Sequence, residues 1–192
     1  MKTIDQIEKI NAVVTYILQR IPEGLDYIHL FKILYFAQQE HLVVYGTPLF
    51  DETFFARKHG PVPSLTYKVL RGIEGKRKLD SKELKDFSQS LTIASDGDHQ
   101  IVKLADNVQC DMDELSVSNL KMLDKWIDKC KDLQSFDLSD LSHDKAWKKA
   151  IRQTEKTGED TKITLYDIAQ AGGASDDMLK VIRERQISNA IR

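Results

Sequence analysis

The architecture turns on residues 30–67, LFKILYFAQQEHLVVYGTPLFDETFFARKHGPVPSLTY. Leu30, Ile33, Leu34, Ala37, His41 and Val44 recur on one side of a helix, while Phe31 and Tyr35 sit elsewhere around its axis. A helix that is apolar on several faces is a central, buried one. Asp26 is placed to cap its start, and Gly46, Thr47 and Pro48 stop it. Thr53 to Ala56 then read as a short extended piece running into Gly60, Pro61 and Pro63, and the second of these prolines can open a further helix with Leu65, Val69 and Ile73 inward.

On the N-terminal side, Ile4, Ile7, Ile10, Val14, Ile17, Leu18 and Ile21 keep helical spacing, and Thr3 with Gln6 forms a capping box. That helix is predicted to end near Arg20, before Pro22 and Gly24. On the C-terminal side a polar stretch, Gly72 to Ser90, precedes a hairpin of Leu91–Ala94 and Ile101–Leu104 turning at Asp96, Gly97 and Asp98. From Ser116, Leu120, Leu123, Ile127 and Cys130 mark an amphipathic helix with Trp126 beside its stripe. A short helix carrying Trp147, Ala150 and Ile151 follows His143, and Thr154 to Lys162 reads as a loop before a helical pair, Leu165–Ala171 and Asp176–Ile191. The expected fold class is mainly α (α+β): a compact helical domain around a central buried helix with a small antiparallel β hairpin or sheet. Residues 1–153 would form that domain, and 154–192 a C-terminal helical extension.

The 192 residues, 41% hydrophobic and 30% charged with nine glycines and four prolines, have the balance of a folded domain rather than a disordered or fibrous chain. A net charge of −2 draws the whole molecule neither to nucleic acid nor to anionic membrane. Charge is nevertheless sorted: Arg57 to Lys85 holds nine basic and three acidic residues, Asp106 to Asp144 four and ten. No run approaches the ~18 uncharged apolar residues of a membrane span, and no export signal is visible. Two distant cysteines, Cys110 and Cys130, suit a reducing cytoplasm.

A search for chemistry yields little. Gly72 with Gly75, and Gly172 with Gly173, lack the rest of any phosphate loop or dinucleotide fingerprint. His29, His41, His59, His99 and His143 are too far apart for paired metal ligands on one helix face, and Cys130 lies on an apolar stripe. Asp51, Glu52, Asp176 and Asp177 fall where turns and helix starts favour acids. No cofactor, metal site or catalytic residue is expected, although an enzyme site assembled from scattered His and acidic residues is open to sequence spacing. Ile168, Ala169, Gly173, Leu179 and Ile182 fit a helix-turn-helix in part, which would make Lys180, Arg183 and Arg185 contacts to operator DNA. The same residues fit a plain helical hairpin with Ser175 as N-cap, and Asp176 and Asp177 would repel phosphates. Gly60 and Pro61 would fix a tight bend that presents Arg57, Lys58 and His59 beside Tyr67, a candidate contact patch for a protein partner.

Within residues 30–67, Lys32–Gln38, then His41, Leu42, Tyr45, Gly46, Pro48, Leu49 and Phe50, then Phe54, Ala56, Gly60, Pro61, Val62 and Tyr67 follow a specific order. Leu141, Ser142, His143, Trp147 and Ala150 form a closing motif. This pattern resembles the Panacea domain, the SocA-like antitoxin family that also includes phage-associated proteins of the GepA type, over about Asp26 to Ile151. Gly72–Ser90 and Cys130–Asp137 carry little family character, Ser142 stands where Thr is more usual, and the first helix and the tail lie outside the resemblance. The resemblance implies a non-enzymatic bacterial or prophage antitoxin that binds and neutralises a cognate toxin encoded by an adjacent gene. Tyr35, Phe36, Leu49, Phe50 and Phe54 are expected in the core, Gly46, Pro48, Gly60 and Pro61 at bends, and His143 with Trp147 packing the closing helix.

Overall fold

The computed structural model describes residues 3–97 and 99–190; the expected turn residue Asp98 and helix end Ile191 lie outside them. Helix α1 (Ile4–Arg20) opens on the capping box: the Gln6 amide donates to Thr3 Oγ1 and the Thr3 amide to Gln6 Oε1 at 2.8 Å. After a two-residue strand β1 (Leu25–Asp26), helix α2 (Tyr27–Tyr45) starts where Asp26 accepts from the His29 amide and ends at Gly46, φ 64°. Every residue from Leu30 to Gln38 is buried. Burial opposes ionisation of Asp26, yet hydrogen bonds from His29 and Ser135 hold its carboxyl down at about 2.

Strand β2 (Phe54–Arg57) and strand β3 (Gly60–Pro63) form an antiparallel hairpin, with Arg57 paired to Gly60. Helix α3 (Ser64–Ile73) follows Pro63, which supplies no side-chain cap. Glu52, only 3% exposed, takes that role by accepting from the amides of Leu65 and Thr66 and from the Thr66 hydroxyl. Strands β4 (Leu91–Asp96) and β5 (His99–Leu104) make the expected hairpin, and β1 joins its β5 edge. Helix α5 (Val117–Cys130) opens on a reciprocal Ser116–Asn119 cap, and burial pushes the Cys130 thiol up to about 12. Helices α8 (Leu165–Ala171) and α9 (Asp176–Ala190) close the described chain, with the Met178 amide donating to Ser175 Oγ.

Mainly α with small antiparallel sheets is therefore the observed class, but four local features differ from the sequence reading. The polar stretch holds helix α4 (Lys82–Gln89), whose Leu84 and Phe87 anchor it against α1 and α3. Helix α6 (Ser135–Leu141) occupies a region to which the sequence reading assigns no element; it buries Leu138 and Ser139 while Phe136 and Leu141 are exposed. Helix α7 (Lys145–Thr157) runs a full turn into the expected loop, ending at Gly158 with φ 74°. What remains of that loop contains strand β6 (Lys162–Ile163), which pairs with β2, so the described residues form two three-stranded sheets rather than one. Such short pieces bury too few side chains to show a period.

Polar side chains of α2 settle what packs on it. Gln38, fully buried, accepts from the Leu49 amide at 2.7 Å and donates to the Phe50 carbonyl at 3.1 Å. Tyr35 OH and Gln39 Nε2 both donate to Asp144 Oδ2 at 2.8 Å, while Asp144 Oδ1 caps α7 through the Trp147 amide. Tyr35 meets Phe36 and Phe54 edge-on, and Phe36 stacks on Trp126 at 4.7 Å. Replacing Gln38 by Leu keeps the volume but orphans buried backbone groups at Leu49 and Phe50. The expected loss, read from the urea midpoint, is about 3 kcal/mol.

Candidate partner-binding site

The β2–β3 hairpin turns through Lys58 and His59 alone. Gly60 carries φ 101°, a conformation that residues with a Cβ rarely adopt. Space excludes one as well: a Cβ at Gly60 would lie 2.7 Å from Lys32 Nζ and collide with Ser142 Oγ. Helix α2 thus supports the turn from below through Lys32, whose ammonium donates to the Pro61 carbonyl at 3.1 Å.

Two further bonds come from the corner between α6 and α7. Ser139 Oγ donates to the His59 carbonyl at 3.2 Å, and Trp147 Nε1 donates to the Arg57 carbonyl at 2.9 Å. His143 stacks on the Trp147 ring with centroids 3.7 Å apart. Its Nε2 is buried without a hydrogen-bond partner among the described residues. Burial first, and then the Lys32 charge, push the His143 pKa below the usual imidazole value. A neutral ring flat on an indole suits this position.

Lys32 is the unusual group. It is 1% exposed, and among the described residues no carboxylate stands within ion-pair distance of its ammonium. Burial alone lowers its pKa from 10.5 to about 7.

Where the hairpin and α3 meet the first turns of α2 lies a groove of about 390 Å³. Arg57, Lys58, His59 and Tyr67, the four residues expected as a contact patch, all line it, together with Tyr27, Ile28, Phe31, Lys32 and Val62. Among the described residues no acidic one belongs to the lining. Arg57 is fixed on two sides, with its guanidinium 5.0 Å from the Tyr67 ring centre and 2.5 Å from Asp160 Oδ2. Tyr67 in turn meets Phe31 edge-on at 6.0 Å. The site is a shallow apolar and aromatic floor under a cationic rim.

The other sequence-singled residues lie apart from this groove. Gly46 caps α2 and abuts Met178 of α9, and Pro48 is exposed just beyond it. Of the three cations on α9, Lys180 pairs with Asp177 at 3.2 Å, Arg183 covers the Tyr166 ring at 4.8 Å, and Arg185 donates to the Gly46 carbonyl at 2.9 Å. From sequence, Tyr27, Ile28, Phe31, Lys32 and Ser139 have no part in the contact patch, although Phe31 is placed on the central helix and Lys32 in the family pattern. Lys32 alone left a signal, a lysine in a helix with no polar face.

Two outcomes follow from this geometry. Gly60→Ala should cost at least about 2 kcal/mol by urea unfolding, because strain and collision add. Lys32 titrates lower in the folded chain than in the unfolded one, so between about pH 7 and pH 10.5 the unfolded chain binds the extra proton and stability rises with pH. The gain in melting temperature from Lys32→Met should therefore be largest below pH 7 and shrink toward pH 10.

A family model described as "Antitoxin SocA-like, Panacea domain" matches residues 30–148. No curated protein and no solved structure matches the chain. The matched span starts in the buried part of α2 and ends just beyond Trp147, enclosing the hairpin, its supports and the basic rim of the groove. By this match over more than half of its length, the chain belongs to the SocA-like antitoxin family and carries its Panacea domain.

Proposed function

We propose that this protein is the antitoxin of a toxin–antitoxin pair, a cytoplasmic, non-enzymatic protein that neutralises the product of an adjacent gene by binding it directly. The observation that carries this reading is the groove at the β2–β3 hairpin, a cation-rimmed apolar surface whose rim lies within the span matched by the family model. Arg and Tyr in such a setting are favoured anchors of protein interfaces, and Arg57 and Tyr67 are already held in place before a partner arrives. The complementary toxin segment is acidic with apolar side chains. A stable complex buries about 1,600 Å² in total, more than the groove offers, so neighbouring surface contributes as well.

The alternative, a DNA-binding regulator acting through Lys180, Arg183 and Arg185, has less support. Arg183 and Arg185 make contacts inside the molecule, and Asp176 and Asp177 lead the helix that would face phosphate.

Co-expression with the neighbouring gene tests the proposal. That gene alone should arrest growth, and this protein should relieve the arrest. Lys58→Glu with His59→Glu, both exposed side chains, should weaken toxin binding at least about tenfold while leaving the melting temperature unchanged. A harmless neighbour, or a toxin equally active with and without this protein, defeats the reading; full neutralisation by the double variant removes the groove from it.

A further inference from the structure

Helix α7 carries a second cationic surface that the antitoxin reading does not use. Its sequence, KAWKKAIRQTEKT, contains five cations, Lys145, Lys148, Lys149, Arg152 and Lys156. At ~100° per residue these fall within about 100° of the helix circumference, while the opposite side buries Ala146 and Ala150. All five are exposed, and with Gln153 they line a shallow channel of about 430 Å³. Asp167 pairs with Lys149 at 2.7 Å. Among the described residues the other four have no carboxylate within ion-pair distance, and Glu155, the helix's one acid, is not part of the lining.

We infer that this strip is a docking surface for the phosphodiester backbone of duplex DNA, read without regard to sequence. Its composition separates it from a protein-binding surface. Protein interfaces are depleted in lysine and centre on buried aromatic or apolar anchors, whereas among the described residues no aromatic or aliphatic one lines this channel. Its length suits a phosphate polymer. Lys145 to Lys156 spans roughly 16 Å at 1.5 Å per residue, long enough to lie along a few successive phosphates of a strand. The helix is held rigidly, by the Asp144 cap at its start and the Trp147 indole bonded to the Arg57 carbonyl, so the cations keep their spacing.

The experiment is fluorescence anisotropy of the full chain with a labelled random-sequence DNA duplex, titrated between about 50 mM and about 200 mM salt. With four unpaired cations each displacing a counterion, the log–log slope should be about −3 to −4. Replacing Lys148, Arg152 and Lys156 together by Gln should bring the slope to about −1, with no change in melting temperature or in toxin neutralisation. Lys180→Gln with Arg183→Gln should leave the slope untouched. The inference is overturned by absence of binding at the lowest salt, by an unchanged slope in the α7 variant, by loss of binding through the α9 variant instead, or by tighter binding to vesicles of anionic lipid than to DNA. The readout does not involve a toxin, so it fails or succeeds apart from the antitoxin reading.

Discussion

The constraint on which this structure depends is the burial of α2 on every side. A helix buried at every residue from Leu30 to Gln38 cannot leave polar groups to water, so each polar side chain there dictates a neighbour. Gln38 requires the backbone of Leu49 and Phe50, and thereby folds the chain back after Gly46. Tyr35 and Gln39 require Asp144, and thereby set the start of α7. Lys32 requires the carbonyl of Pro61, and thereby locates the β2–β3 hairpin. The central helix is a template for the loops around it as much as a hydrophobic post.

This template makes the hairpin unusually rigid for an exposed turn. Its backbone is held at Arg57, His59 and Pro61 by three side chains from three different places, α7, α6 and α2. Lys58 and His59 can therefore project from a fixed base, and the groove beside them needs little ordering when a partner arrives. The cost is a buried amine whose one hydrogen-bond partner among the described residues is a carbonyl.

Two cationic surfaces with different physics share one small molecule. At the groove the charges surround aromatic and aliphatic side chains, so desolvation adds to electrostatics. Along α7 the charges stand alone on a polar face, where attraction is long-ranged, salt-sensitive and indifferent to shape. A net charge of −2 conceals both.

The sequence by itself determined the elements whose side chains repeat or whose termini carry a marked residue: α1 from Thr3 and Gln6, α2 from Asp26 to Gly46, α5 from Ser116, and the hairpin turned at Gly97. It also placed Arg57, Lys58, His59 and Tyr67 in one patch, because a bend of known tightness brings neighbours in sequence together. The tertiary structure decided the rest. Helices α4 and α6 and strand β6 are too short for a period of their own and exist where a larger surface receives them. The floor of the groove comes from Tyr27, Ile28 and Phe31, some thirty residues before its rim, and the support of the turn from Ser139 and Trp147, some eighty residues after it. Local order follows from dihedral preference and spacing, which are written in neighbouring residues, whereas convergence of distant segments follows from which buried polar group finds which partner.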